Sequence, residues 1–329
     1  MINLAILGAT GLVGQKMRRI LAERNFKFDN IFFFASKNSA GQDIYFKGKK
    51  YTIIELNEEN LLNNNINYAL SALDSPLAKI YVNLAAKNGI TVVDNSSAFR
   101  MDPEVPLVVP EINPEEALKA NGIIANPNCS TIQSVVALNP IYKNFGIKRI
   151  IYTTYQAVAG SGVNGIDDLK LGDWGGKNKF YPYQISHNAI PHIDDFTEDG
   201  YSKEELKMVN ESRKILSDDS LRITATAVRI PVFESHMVNI VVETEEPFEV
   251  EEIFNIFKNS EGIVLQDDVK NNIYPMPITA TGKDEVFVGR IRRDHSVENG
   301  INFMCVSDNT RKGAALNAIQ ILEYVIEHK

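Results

Sequence analysis

The strongest candidate for covalent chemistry in this chain is Asn126-Pro127-Asn128-Cys129-Ser130-Thr131. The cysteine stands immediately before an apolar helical pattern, near the unpaired N–H groups and the positive end of a helix. Such a terminus contributes up to about 2 kcal/mol, or roughly 1.4 pKa units, taking a thiol from about 8.5 to about 7.1. A thiol in that state is a competent acyl-transfer nucleophile. A small residue buried at a helix cap has the same signature. Cys305, in the apolar run Phe303 to Val306, reads as core.

A thiolate attacking a carbonyl needs a group to manage protons. Of the five histidines, His328 ends the chain, His295 lies in a charged turn, and His187 and His192 fall in an irregular segment. His236 opens a β-rich run seven residues after Arg229, so antiparallel pairing of the two runs predicts both in one crevice. Arg229 alternates with Ala227 and Ala225, which leaves room beside a bidentate cation. The plainer readings are a strand-end histidine and a surface ion pair. Gln156, at a strand end just before Gly160, is a neutral amide able to orient a carbonyl. Arg100 follows a strand where open α/β sheets bind ligands, or is solvated. Glu204 and Lys207 share a helix face at salt-bridge spacing, which by itself favours a solvated pair.

A second stretch could hold a reagent. Gly8-Ala9-Thr10-Gly11-Leu12-Val13-Gly14 follows a buried strand pattern and opens a helix, so its backbone N–H groups can approach a pyrophosphate. The spacing is GxxGxxG, and a tight turn with close helix packing is the alternative. At the end of the second strand, Ala35-Ser36-Lys37-Asn38-Ser39 has no acid and one lysine, which favours NADP while leaving NAD possible.

The elements that must position these residues follow from periodicity. Short apolar runs at 2–7, 31–35, 68–72, 91–94 and 123–125 alternate with helical spacing at 13–24 and 77–87, predicting a Rossmann-like, doubly wound parallel sheet. Beyond Cys129 the pattern predicts a helix over 131–144, a strand over 149–157, and a long irregular loop over 160–195. A helix capped by Ser202 follows, then strands over 221–232, 236–243, 286–292 and 301–307, a helix over 250–259, and a terminal helix over 313–328. The fold class is α/β with a second, α+β substrate and dimerisation domain built on a mainly antiparallel sheet. The expected division is 1–127, completed by 308–329, for the nucleotide and 128–307 for catalysis and dimerisation.

Composition bounds the rest. The 329 residues are 44% hydrophobic with a net charge of -8, which supports packed cores and argues against a nucleic-acid or anionic-membrane partner. The opening apolar run is too short and wrongly flanked for a signal peptide. Two cysteines form no disulfide framework and point to the cytoplasm. No metal site is expected.

Taken together, GATGLVG at Gly8, SAG at Ser39, VVDNSSAFR ending at Arg100, VPLVVPEIN at Val105, NPNCSTIQ around Cys129, TYQAVAGSG around Gln156, NAIPHID at Asn188, VRIPVFESH from Val228 to His236, IYPMPI at Ile273, FVGRIR at Phe287 and VSDN at Val306 resemble the aspartate-semialdehyde dehydrogenase family along the whole chain. The resemblance implies reversible NADPH-dependent reduction of L-4-aspartyl phosphate to L-aspartate 4-semialdehyde, with release of phosphate, in the route to lysine, methionine and threonine. It implies that Cys129 forms an acyl-thioester, His236 manages the proton and Gln156 orients Cys129 and substrate. It assigns Arg229 and Glu204 to the aspartyl carboxylate and amine, and Arg100, Lys207 and Asn128 to phosphate. It assigns Gly8, Thr10, Gly11, Leu12, Val13, Ser36, Lys37, Asn38, Ser39, Ala159, Gly160 and Asn309 to the cofactor, and implies a homodimer or homotetramer. The chain departs from the family at Asn38, often Arg; at Ala159, usually Ser; at Ala227, usually Cys; and at Leu73, usually Gly. The alternatives are N-acetyl-glutamyl-phosphate reductase, whose cysteine typically has Gly before it and Tyr-Pro after, and a nucleotide-sensing Rossmann protein without catalysis.

Overall fold

The computed structural model describes residues 1–329 and divides the chain into two compact units, Met1–Pro127 with Ala314–Lys329, and Asn128–Gly313.

In the first unit, β1 (Asn3–Leu7), β2 (Asn30–Ala35), β5 (Ile54–Glu55), β6 (Tyr68–Ser71), β7 (Thr91–Asp94) and β8 (Ile123–Ala125) form one parallel sheet in the order β5-β2-β1-β6-β7-β8. Strand β1 is buried at every position, as expected for a strand covered on both faces. Helices α1 (Leu12–Glu23), α2 (Glu58–Leu62) and α3 (Ser75–Lys87) are the crossovers, and α3 starts where Asp74 accepts the Leu77 N–H at 3.1 Å with Pro76 in the first turn. A hairpin of β3 (Asp43–Phe46) and β4 (Lys49–Thr52), which the apolar pattern does not predict, packs Phe46 and Tyr51 edge-on against Phe33. The core spans Leu4, Ile6, Met17, Ile20, Phe33, Ile319 and Leu322, so the C-terminal helix Leu316–His328 belongs to it.

The second unit begins with α4 (Cys129–Phe145), whose buried residues lie all round it, so it is the central helix of this unit. Its sheet has the order β10-β9-β11-β14-β13-β12, comprising β9 (Arg149–Gln156), β10 (Arg222–Arg229), β11 (His236–Glu243), β12 (Ile263–Leu265), β13 (Val286–Asp294) and β14 (Gly300–Ser307). The sheet is mixed, for β10 runs parallel to β9 and β12 parallel to β13, while the other three pairings are antiparallel. Two expectations change here. The runs carrying Arg229 and His236 do not pair with each other, because β9 lies between them. The segment 160–195 is not all loop, since α5 (Gly162–Asp173) is a helix. Its weak apolar stripe and three glycines hide it from periodicity. Asp168 anchors its far side by accepting the N–H groups of Lys179, Phe180 and Tyr181 at 2.7–2.9 Å. Helix α6 (Lys203–Leu216) carries a full capping box between Ser202 and Glu205, and ends on Ser217 at a left-handed φ of 54°. Helices α7 (Val250–Lys258) and α8 (Pro277–Ala280) complete the unit.

Candidate active site

In the second unit the sheet's pleat does the first part of the positioning. Along β9 the buried positions alternate and end at Thr154 and Gln156, and β10 buries Ala225, Ala227 and Arg229. Strand β11 starts its buried alternation with His236. Arg229 is the register partner of Gln156, and Met237 pairs with Tyr155, so Arg229 and His236 flank the end of β9 from opposite sides. They meet at one residue, Ala157. Arg229 Nη1 donates to the Ala157 carbonyl at 2.7 Å, and the Ala157 N–H donates to His236 Nδ1 at 2.9 Å. A side chain at Gly160 would put its Cβ 3.0 Å from Arg229 Nη1 and 3.3 Å from His236 Nε2, so glycine there keeps this corner open.

The bond to Nδ1 fixes the imidazole tautomer. A nitrogen that accepts cannot carry the proton, so neutral His236 bears it on Nε2. Nε2 is buried and makes no hydrogen bond within the chain, and the same is true of Arg229 Nε. Burial first, and the Arg229 charge second, hold the imidazole well below its ordinary value of 6.5. The ring is a neutral donor. The backbone before it is also constrained, because Ser235 sits at φ 74° and donates its N–H to Asn309 Oδ1 at 2.9 Å.

Cys129 is the first residue of α4, and Asn128 is its N-cap, accepting from Ser130 and Thr131 N–H groups at 3.0 and 3.2 Å. The thiol is partly exposed, and Gly313 lies so close that a Cβ there would stand 3.0 Å from Cys129 Cβ. Gln133, one turn along α4, donates to the carbonyls of His236 and Cys305 at 3.2 and 3.3 Å, which ties the cysteine's helix to strands β11 and β14.

Helix α6 supplies the charges. Glu204 is buried, and its Oε1 accepts from Asn128 Nδ2 at 2.9 Å and from Gln156 Nε2 at 3.2 Å, while Oε2 pairs with Lys207 at 3.2 Å. Burial pushes this carboxyl up, but Lys207, the two amides and Arg229 outweigh it and hold it below the usual range. Lys207 also pairs with Asp194 at 2.6 Å. The solvated reading of Glu204 and Lys207 is therefore overturned. Spacing did not reveal Asp194, the Ala157 peptide, Gly313 or the buried Glu211, which accepts the Asn128 N–H at 2.6 Å. The one legible sign of Glu211 is the stripe Glu204, Lys207, Glu211 on a single face of α6.

In the first unit, Arg100 is buried and donates through Nε to the Asn126 carbonyl and through Nη2 to the Asn95 carbonyl, both at 2.9 Å. Its solvated reading fails too. A cleft of about 370 Å³ is lined by Gly8, Thr10, Gly11, Ala35, Ser36, Leu73, Asp74 and Tyr81 among others. Gly8 has φ 85° and an added Cβ would stand 2.9 Å from the Ala72 carbonyl, while one on Gly14 would stand 2.2 Å from the Gly8 carbonyl. No side chain caps α1, whose first turn includes Leu12 and Val13. A glycine turn, an uncapped helix end and an adjoining cleft fit a dinucleotide. Lys37 and Asn38 are exposed at the end of β2, followed by half-buried Ser39, whereas Ala159 and Asn309 are buried in the second unit.

A parallel sheet with a glycine turn, followed by a unit with a cysteine at a helix start, defines a nicotinamide-dependent oxidoreductase of the semialdehyde dehydrogenase class. Family models described as "Semialdehyde dehydrogenase, NAD binding domain" and "Semialdehyde dehydrogenase, dimerisation domain" match residues 3–120 and 138–312. The chain is 51% identical to aspartate-semialdehyde dehydrogenase from Aquifex aeolicus, over 99% of this chain and 98% of that one. The crystal structure of aspartate semialdehyde dehydrogenase II complexed with ASA from Vibrio cholerae superposes with a TM-score of 0.95 at 42% identity, covering 100% of this chain and 99% of that one. The aspartate semialdehyde dehydrogenase with NADP from Candida albicans gives 0.79 at 25% identity, covering 99% of both. The chain belongs to the aspartate-semialdehyde dehydrogenase family. Neither the N-acetyl-glutamyl-phosphate reductase reading nor the non-catalytic reading is supported. No helix is long and apolar enough to cross a membrane.

Proposed function

We propose that this chain reduces L-4-aspartyl phosphate to L-aspartate 4-semialdehyde and phosphate, reversibly and with NADPH, in the route to lysine, methionine and threonine. The reading is carried by Cys129 at the start of α4 within a cluster of Asn128, Gln156, Glu204, Arg229 and His236.

Cys129 Sγ, as the thiolate, attacks the acyl carbonyl, the bond to phosphate breaks, and a thioester remains on the cysteine. Gly8, Thr10, Gly11, Leu12, Val13, Ser36, Lys37, Asn38 and Ser39 would hold the dinucleotide. NADPH bound there would supply the hydride to the thioester carbon, after which the C–S bond breaks and releases the aldehyde and the Cys129 thiolate. His236 donates its Nε2 hydrogen bond to the oxygen that gains charge at each addition, a role that needs the neutral tautomer set by Ala157. Gln156 orients the thiol and the acyl group. Arg229, with its Nε buried and making no hydrogen bond within the chain, takes the substrate carboxylate. The ionised Glu204 takes the amine. Phosphate falls to Lys207 and Asn128. Two cysteines outside any disulfide are consistent with a cytoplasmic enzyme, and the match to a dimerisation domain with a homodimer or a tetramer built from it.

The test is phosphate-dependent reduction of NADP by aspartate semialdehyde, run beside NAD and beside N-acetylglutamate semialdehyde. Turnover is expected with the first substrate, and its absence removes the assignment. Cys129→Ser should lower kcat by about a thousandfold or more. Unchanged activity in that variant would exclude the thioester.

A further inference from the structure

Residues Ile190 to Asp195 form a strap between two parts of the candidate site. At one end Ile190 exchanges both backbone hydrogen bonds with Arg229, at 2.9 and 2.8 Å. At the other, the Lys203 N–H donates to the Asp195 carbonyl at 2.8 Å and the Lys203 ammonium pairs with the Asp195 carboxylate at 2.7 Å, which ties the strap to the first turn of α6. Ile193 is buried, and the His192 ring stacks on Phe196 with centroids 4.2 Å apart. Asp194 lies at φ 68°, a left-handed conformation that a residue other than glycine keeps only where its surroundings hold it.

What this strained residue holds is Lys207. Its Oδ2 pairs with the Lys207 ammonium at 2.6 Å, closer than the 3.2 Å contact from Glu204 on the lysine's own helix. Its Oδ1 accepts the Asp195 N–H at 2.9 Å. Burial pushes the Asp194 carboxyl up, but Lys207 and that N–H outweigh it and hold it below its ordinary value, so it is ionised. Glu204 reaches Lys207 along one face of α6, whereas Asp194 reaches it across 13 positions of sequence, from a segment anchored to Arg229. Asp194 has two opposed effects on a phosphate at Lys207. Its negative charge repels the anion, but with a third of the side chain exposed that repulsion is screened by water and salt. Holding one geometry of a four-carbon chain that otherwise samples many rotamers is not screened, so positioning prevails.

We propose that Asp194 is a positioning residue for this reaction, presenting the Lys207 ammonium to the phosphate that leaves or enters. The inference rests on the assignment of Lys207 to phosphate. Asp194→Asn removes the charge on the strap and leaves the contact of Lys207 with Glu204 in place.

The experiment is phosphate-dependent reduction of NADP by aspartate semialdehyde, with the full chain as wild type, Asp194→Asn, Asp194→Gly, Lys207→Ala and the double variant Asp194→Asn with Lys207→Ala. Glycine adopts φ 68° without strain, so Asp194→Gly removes the carboxylate and keeps the turn. Each Asp194 variant should raise the phosphate KM by about tenfold, with kcat and the NADP KM within about twofold of wild type. In the Lys207→Ala background Asp194→Asn should change the phosphate KM by less than about twofold, because its effect runs through an ammonium already removed. An unchanged phosphate KM in both Asp194 variants, or an equal effect with and without Lys207, overturns the positioning. An NADP KM that rises in step with that of phosphate marks a general structural loss and overturns it as well. An unchanged phosphate KM in Lys207→Ala alone would instead defeat the assignment of Lys207 to phosphate, so the two failures are distinguishable.

Discussion

His236 is buried, neutral and bonded at Nδ1, and that combination has consequences that pH can read. Its folded pKa lies below the unfolded value, so below about pH 6.5 the unfolded chain binds a proton that the native chain does not. The stability that it contributes is complete above that value and is lost as pH falls toward the folded pKa. Urea midpoints should therefore decline from about pH 6.5 downward, and the decline over that range should shrink in His236→Gln. Nitrogen NMR of labelled protein should find Nδ1 unprotonated and no His236 titration near pH 6.5. A titration near 6.5 would remove the donor role. Much at this scale was legible. Cys129 declared itself through a local helix start, and Arg229 and His236 through alternation. The tautomer was not, since it is set by the Ala157 amide, 79 positions away from His236 in sequence.

Among the elements, α6 and α5 mark the limits of reading by pattern. Helix α6 carries its start signal in four consecutive residues, Ser202 to Glu205, so its N-terminus needs no tertiary partner to be recognised. Helix α5 has little apolar stripe, and what stabilises its surroundings is a carboxylate bonded to three amides more than ten positions away. Burial raises the Asp168 pKa, but those amides outweigh it and hold it low, so the group is ionised in the folded chain. Replacing Asp168 by Ala leaves three N–H groups without that acceptor, and should cost about 1–3 kcal/mol in chemical denaturation and speed proteolysis between residues 174 and 181. Unchanged stability and protease resistance would show the clasp to be dispensable.

For the whole molecule, cofactor choice is the property most open to a single change. At the end of β2 the exposed pair Lys37 and Asn38 offers one cation to a 2′-phosphate. Asn38→Arg adds a planar, bidentate donor and should raise the NADP-over-NAD ratio of kcat/KM by roughly tenfold. An unmoved ratio would mean that this turn does not read the 2′ position.

By itself the sequence determined five of the six strands of the parallel sheet, all but β5, together with the cysteine's helix start, the glycine turn and the charge stripe of α6. All of these depend on residues within about one or two turns of each other, where periodicity and capping act. Tertiary structure decided that β9 lies between the strands of Arg229 and His236, that Ala157 joins them, and that Glu204 and Glu211 both close on Asn128. Strand order and buried polar pairing are settled by which distant groups can satisfy one another once water is excluded, and no local pattern encodes that.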